Sequence, residues 1–158
     1  MRPSFVFVGV AAAIVCANAQ WTVQFNNKCG HGTPLLLENG KTLSTGEPVN
    51  VSSGGVTTST IAFLQTGHCG DNGENCTVVE TTEHTAAIIG PTILSDISVA
   101  PPHKFSVPAG FQYHGGGQFC DGLHADCASA SCPAAEANCQ IIELDPHPPV
   151  TLEITFCG

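Results

Sequence analysis

Cysteine is the residue type whose number and spacing most clearly indicate a chemistry in this chain. Nine cysteines are present, and Cys16 lies in an apolar N-terminal segment. The other eight are Cys29, Cys69, Cys76, Cys120, Cys127, Cys132, Cys139 and Cys157. An even number in an exported chain predicts that all eight are paired in disulfides. No Cys-x-x-Cys pair occurs, so the spacing does not favour a zinc site and we expect no metal.

Histidine and serine do not form patterns typical of an active centre. The seven histidines are His31, His68, His84, His103, His114, His124 and His147. They form no helical i,i+4 pair or tight cluster, so we interpret them as scattered surface residues and expect no cofactor. The Gly-x-Ser-x-Gly turn of serine hydrolases is missing from the sequence. Copper monooxygenases that act on polysaccharides resemble one another in a mature chain that begins with histidine, whereas this chain, if it is cleaved after Ala19, would begin with Gln20.

The N-terminus resembles a secretory signal peptide. A basic Arg2 precedes an apolar run from Phe5 to Val15, and Ala17-Asn18-Ala19 supplies a small-x-small cleavage site. The run is too short to cross a bilayer, which requires about 20 residues. We therefore predict a signal peptide over residues 1–19, a single domain over residues 20–158, and a secreted protein at the cell wall or outside the cell.

The charge balance excludes some classes of partner. After residue 19 the chain has three lysines, no arginine and all 13 of its acidic residues. Nucleic acids and anionic lipid surfaces attract basic patches, so neither nucleic acid nor a membrane is an expected partner. We expect a soluble monomer.

The elements that must position any site are predicted to be β-strands. Trp21, Val23 and Phe25 alternate with polar residues, and the stretch from Val150 to Phe156 alternates in the same way. Pro34–Glu38, Asn39-Gly40 and Lys41–Leu43 predict a hairpin, because Asn-Gly suits a type I′ turn. Further strands are expected at Val56–Gln65, Cys76–Thr82, Asp96–Val99, Lys104–Val107 and Gln140–Leu144.

The remaining segments are predicted to be loops. Ser52–Gly55, Gly115–Gly117 and Asp145–Pro149 are rich in small residues or proline, and Cys120–Cys139 is predicted to be a compact stapled lobe. Many short strands without a repeat favour an all-β, antiparallel sandwich with little helix. Asn50 and Asn75 each begin an Asn-x-Ser/Thr sequence, so both are candidate N-glycosylation sites.

Several stretches together resemble the thaumatin-like (pathogenesis-related group 5) family, in particular its small fungal members. They are Thr22–Cys29, Thr66–Gly70 followed by Cys76–Glu80, Asp96–Val99, Phe105–Pro108, and Asp126-Cys127 to Cys132-Pro133. The resemblance implies a thaumatin-like sandwich with a small disulfide-rich loop region. It also implies that Cys29 pairs with Cys157 and Cys69 with Cys76, whereas the pairing within Cys120–Cys139 stays open.

The resemblance also indicates where carbohydrate chemistry could take place. Glu80 and Asp96 match two acidic residues that line the family's cleft. In glycoside hydrolysis one carboxyl group donates a proton and the other acts as base or nucleophile, and those roles would fall to Glu80 and Asp96 respectively. The family's arginine has no counterpart, and Pro101 stands where a further aspartate is expected.

An aromatic wall would complete such a cleft, and Phe111, Tyr113 and His114 are its candidates. The alternative for the two aromatic rings is a place in the core or in a turn. We therefore expect a protein that binds cell-wall β-1,3-glucan through these residues without turnover. The alternatives are a weak endo-β-1,3-glucanase that uses Glu80 and Asp96, and a non-catalytic secreted effector or wall structural protein.

Overall fold

The chain folds as an all-β sandwich. In a computed structural model, the described residues are 20–52, 57–86, 90–116, 120–132, 135–140 and 149–158, so the predicted signal peptide lies outside them. These residues form the strands β1 Gln20–Asn27, β2 Thr33–Glu38, β3 Lys41–Ser44, β4 Val49–Ser52, β5 Thr57–Gln65, β6 Val78–Ala86, β7 Gly90–Ser98, β8 Ala109–Gly115, β9 His124–Cys127, β10 Ala135–Gln140 and β11 Val150–Phe156. The predicted fold class is confirmed.

Two sheets form the layers of the sandwich. One has five strands in the order β4-β1-β11-β8-β9, and the other has six in the order β10-β7-β6-β5-β2-β3. β1 runs parallel to β11, whereas the other described pairs, such as β6 with β7, are antiparallel. The two strands that the sequence predicts at opposite ends of the mature chain are therefore neighbours in one sheet.

The core lies between the sheets and follows from the alternation of side chains. In β11, Val150, Leu152, Ile154 and Phe156 are at most 2% exposed, whereas the residues between them are half-buried. A strand presents successive side chains to opposite faces, so the apolar half of β11 packs inward. The indole of Trp21 also points inward, and its Nε1 donates a hydrogen bond of 3.0 Å to Oε2 of the fully buried Glu83 on the other sheet.

The β2–β3 hairpin forms where the sequence predicts it. Asn39 and Gly40 connect the strands with φ values of 51° and 75°. Both values lie in the left-handed region that a type I′ turn requires at its two central positions. Asparagine and glycine are the residues that adopt this conformation at least cost.

The predicted strand at Lys104–Val107 is wrong. Contacts with Cys76 and Thr77 meet the hydrogen-bonding needs of this segment in place of a sheet, and the backbone N–H of Lys104 donates to the carbonyl of Cys76 at 3.2 Å. Thr77 Oγ1 donates to the carbonyl of Val107 at 2.8 Å and accepts from the backbone N–H of Ser106 at 3.0 Å. Alternation between Phe105 and Val107 therefore reflects local packing, because the backbone has partners outside any strand.

Other boundaries also differ from the prediction. β4 extends to Ser52 and β8 extends to Gly115, so both of these residues belong to strands and not to loops. The Cys120–Cys139 segment, predicted to be a compact stapled lobe, is instead divided between the two layers, because it supplies β9 to the five-stranded sheet and β10 to the six-stranded sheet. Of the strand expected at Gln140–Leu144, only Gln140 lies among the described residues, at the end of β10.

Four disulfides cross-link this sandwich. Cys29 pairs with Cys157 and Cys69 with Cys76, as the resemblance implies. The bridges that the sequence left open are Cys120–Cys139 and Cys127–Cys132. Several disulfides in one small domain are typical of extracellular proteins.

Candidate functional site

The two predicted acidic residues lie side by side on one sheet. Glu80 on β6 and Asp96 on β7 are direct register partners in the antiparallel ladder, which places their Cβ atoms about 4.5–5.5 Å apart. Their sequence neighbours Thr81 and Ser95 are buried between the sheets. Because alternate residues face opposite sides, both carboxylates belong to the outer face of the six-stranded sheet.

A third acidic position continues this row. On the edge strand β10, Glu136 is the register partner of Asp96, and on the opposite side Ile61 of β5 is the register partner of Glu80. Sequence reasoning missed Glu136, because only the pairing of β10 with β7 brings that position next to Asp96. Like charges in adjacent register positions repel, so Glu80 and Asp96 together favour cationic or hydroxyl partners.

Hydroxyl groups occupy the outer face beyond the acidic row. Ser59 on β5 and Thr82 on β6 are hydrogen-bonded through their side chains at 3.2 Å. One row further, Thr57 Oγ1 lies 3.3 Å from Nδ1 of His84. Ser59, Thr57 and His84 are exposed, so this part of the face offers donors and acceptors to solvent or to a ligand.

On its other side the acidic row meets a loop that packs onto the sheet. An apolar cluster of Leu37, Phe63 and Val78 lies on the outer face yet is at most 6% exposed. The loop closed by the Cys69–Cys76 disulfide covers it, and a Cβ at Gly73 would lie 2.7 Å from Val78 Cγ1. Such a distance is shorter than van der Waals contact, so only glycine lets the loop approach the sheet this closely.

His103 connects this loop to the acidic row. Its Nε2 lies 3.3 Å from Oε1 of Glu80, and its Nδ1 lies 3.0 Å from the carbonyl oxygen of Gly73. The histidine side chain is 10% exposed and that of Glu80 is 40% exposed. The sequence prediction treated His103 as a scattered surface residue, since no motif or spacing links it to Glu80.

A further carboxylate of the loop is stabilised in its ionised form. The backbone N–H of Asn72 donates to Glu74 Oε2 at 2.9 Å. This bond, followed by one from the backbone N–H of Glu74 itself, lowers the pKa of the Glu74 carboxyl, and the charge of His103 contributes less to the same effect. His103 therefore has two carboxylates in its surroundings, Glu74 and Glu80.

The predicted aromatic wall is not part of this face. Phe111 and Tyr113 lie on β8 of the other sheet, are 3% and 0% exposed, and contact each other edge to face with ring centroids 6.0 Å apart. Their burial corresponds to the core alternative for these rings. The Tyr113 hydroxyl lies 2.6 Å from Ser95 Oγ, and burial raises the pKa of this hydroxyl well above its usual range.

His114 lies away from the acidic pair as well. It is exposed on the five-stranded sheet, where its Nε2 is 3.9 Å from Oε2 of Glu153. The structure thus brings Glu80 and Asp96 together but does not bring Phe111, Tyr113 or His114 to them.

Both glycosylation candidates are accessible. Asn50 is exposed on the edge strand β4, where its Oδ1 accepts a hydrogen bond of 2.9 Å from Thr22 Oγ1. Asn75 is exposed in a turn with a φ of 62°. Glycosylation of either residue stays a prediction.

Other kinds of site are not evident in the part of the chain that the structure describes. No group of three or more histidine, cysteine, aspartate or glutamate side chains there could hold a metal ion. None of its elements is a helix of the length and apolarity that crossing a membrane demands. Two cavities of about 190 and 350 Å³ lie elsewhere, one beside Gly110 and Asp126 and one along residues 42–49.

Comparison with known proteins adds no relative: no family model, curated protein or solved structure matches this chain. What the site can do therefore rests on its own groups. It is an open sheet face with two adjacent carboxylates, a bridging histidine and a border of hydroxyls. Such a set can accept and donate hydrogen bonds to a ligand rich in hydroxyl groups.

Proposed function

We propose that this chain is a secreted, thaumatin-like protein that binds cell-wall polysaccharide, in the first place β-1,3-glucan, without turnover. The binding surface is the outer face of the six-stranded sheet around Glu80 and Asp96. The observation that carries the proposal is their direct register pairing on one solvent-facing side. Paired carboxylates accept hydrogen bonds from neighbouring sugar hydroxyls, and charge strengthens such bonds.

The shape of the face favours a long ligand over a small one. Small-molecule sites are usually concave and bury most of their ligand, whereas Glu80 is 40% exposed and lies on a strand surface. The hydrogen-bonded pairs Ser59–Thr82 and Thr57–His84 extend the polar surface along the same strands. A polysaccharide can contact such a surface over several sugar units.

Binding is favoured over hydrolysis because of the surroundings of Glu80. A glycosidase acid is held protonated by an apolar, dry environment. Two-fifths of the Glu80 side chain is instead in contact with solvent, and a histidine lies beside its carboxylate. The family's arginine and a second aspartate, which could set two carboxyl groups apart, have no counterparts in the sequence.

A pull-down on insoluble glycans tests this function. The mature protein is mixed with β-1,3-glucan, chitin and cellulose, and the released reducing sugar is assayed in the same tubes. We expect selective retention on β-1,3-glucan that is lost in the double variant Glu80→Gln, Asp96→Asn. The matched control is Glu153→Gln, Asp126→Asn, which removes the same charges from the five-stranded sheet and should retain binding.

The other outcomes of the pull-down distinguish the alternative functions. Sugar released by the wild type, and not by the Glu80→Gln, Asp96→Asn variant, would instead identify a glucanase. Retention on none of the glycans would overturn the carbohydrate proposal and favour a secreted effector or a wall structural protein. Equal loss in both double variants would show that net charge matters and not this face.

A further inference from the structure

His103 faces a hydrogen-bond acceptor at each of its two ring nitrogens. The carbonyl oxygen of Gly73 lies 3.0 Å from Nδ1, and Oε1 of Glu80 lies 3.3 Å from Nε2. A carbonyl oxygen and an ionised carboxylate can only accept. Both contacts are therefore satisfied together when both ring nitrogens carry a proton, which is the imidazolium form.

The neutral ring cannot keep both contacts. It has one N–H group, and its other nitrogen has a lone pair. If the proton stays on Nδ1, the bond to Gly73 is kept and Nε2 presents its lone pair to the Glu80 carboxylate. Since the side chain is only 10% exposed, water can replace the lost partner only in part, and an unsatisfied buried group is costly.

The charged groups around His103 come from the six-stranded sheet, from the Cys69–Cys76 loop and from its own segment of the chain. Glu80 lies on β6, with Asp96 beside it on β7. Glu74 lies on the loop, and the charge of His103 contributes to the lowered pKa of its carboxyl. Lys104 follows His103 in the chain, and the exposed His68 and Asp71 belong to the same loop as Glu74.

We propose that His103 is a positioning residue of the glycan-binding face, and that its imidazolium form clamps the Glu80 carboxylate to the Cys69–Cys76 loop. When the ring loses a proton, the contact with Glu80 is lost, so the remaining bond to Gly73 no longer ties the loop to β6 and the loop loosens. Histidine changes charge between about pH 5 and 8, so the clamp is closed at the acidic end of this range. The part of this inference that concerns glycan binding rests on the proposed function.

Amide hydrogen exchange tests the clamp without any ligand. The Cys76 N–H donates to the same Gly73 carbonyl at 3.1 Å, so its protection factor reports how firmly that carbonyl is held. We expect this factor to fall about two- to fivefold from pH 5 to pH 8, the effect of one partly exposed ion pair. The variant His103→Gln has no titratable ring, so its protection factor should not change between these pH values.

Two variants sharpen the result. Glu80→Gln introduces an amide that can donate to the neutral ring, so the contact should survive at pH 8 and the pH dependence should disappear. His124→Gln is the matched control, because His124 also contacts a backbone carbonyl, that of Gly122, through Nδ1 but is exposed. This control should behave as the wild type does.

The outcomes separate the clamp from the function. A wild-type protection factor that does not change with pH, or a pH dependence that persists in His103→Gln, would overturn the clamp. With the clamp in place, β-1,3-glucan retention should be two- to fivefold stronger at pH 5 than at pH 8, and equal at both in His103→Gln. If no glycan is retained at any pH while the exchange result holds, the proposed function fails and the clamp stands.

Discussion

The bridge that joins the two ends of the mature chain should contribute most to stability among the four disulfides. Cys29 and Cys157 are separated by 128 positions, so their bond closes almost the whole domain into a loop. In the chain-entropy model, a loop of that length destabilises the unfolded state by about 5 kcal/mol. The Cys127–Cys132 loop, with a separation of 5, gives about 2 kcal/mol by the same relation.

Each bridge is removed by replacing both of its cysteines with serine. Cys29→Ser, Cys157→Ser should lower the free energy of unfolding by about 5 kcal/mol, and Cys127→Ser, Cys132→Ser by about 2 kcal/mol. The Cys120–Cys139 bridge, with a separation of 19, should fall between them at about 3 kcal/mol. β1 and β11 are also joined by seven register pairs, so we expect the variant to lose stability but to keep the pairing of these strands.

Urea unfolding measures these differences. Trp21 is the only tryptophan and is 1% exposed, so its fluorescence reports on the core at the junction of the sheets. The expected order of loss is Cys29–Cys157, then Cys120–Cys139, then Cys127–Cys132. If removal of the bridge that closes the shortest loop lowers the free energy of unfolding as much as removal of the bridge that closes the longest, loop entropy does not explain the effect. Local packing at each bridge would then decide stability.

Three further predictions concern the buried hydroxyls and the loop. Tyr113→Phe should lower the free energy of unfolding in urea by about 1–2 kcal/mol, because it removes the hydrogen bond between Tyr113 and Ser95. Ser95 keeps its bond of 2.8 Å to Thr81. An effect no larger than that of the exposed Ser59→Ala would contradict this. Because the folded pKa of Tyr113, the only tyrosine, is raised above its usual value of 10.0, its stabilising contribution is complete below pH 10 and decreases above it, and tyrosinate absorbance should increase only on unfolding. The pKa of Glu74 is instead lowered from 4.5, so its contribution to stability is complete above that pH and is lost as the pH falls through the folded pKa. The difference in melting temperature between wild type and Glu74→Gln should therefore become smaller in acid. A difference that becomes larger would contradict the assignment.

Local alternation was enough to predict much of the fold. The β1 and β11 strands and the β2–β3 hairpin follow from side-chain period and from one Asn-Gly turn. In β8, Ala109, Phe111 and Tyr113 also alternate with outward-facing residues, and all three are at most 4% exposed. No strand was predicted there, and Phe111 and Tyr113 were candidates for a ligand wall with the core as the alternative; the structure places both rings in the core.

Contacts between distant segments set the limit of prediction. The Thr77 hydroxyl replaces strand pairing at Ser106 and Val107, and no property of those two residues alone indicates this. His103 is a similar case, since its role depends on where the loop at Gly73 lies relative to β6. Sequence could suggest Glu80 and Asp96 as a pair, whereas the residue that bridges one of them to the loop depends on tertiary packing.

One strand register places hydroxyl groups in the core and carboxylates on the outer face of the sheet. Thr81 and Ser95 are register partners whose side-chain oxygens lie 2.8 Å apart inside the sandwich, and Tyr113 of the other sheet bonds to Ser95. A slip of one residue between β6 and β7 would break this pairing and turn the side chains of the slipped strand to the opposite face. The inner bonds thus favour the register that places Glu80 opposite Asp96, so the proposed binding face would depend on a hydrogen-bond network on the other side of the sheet.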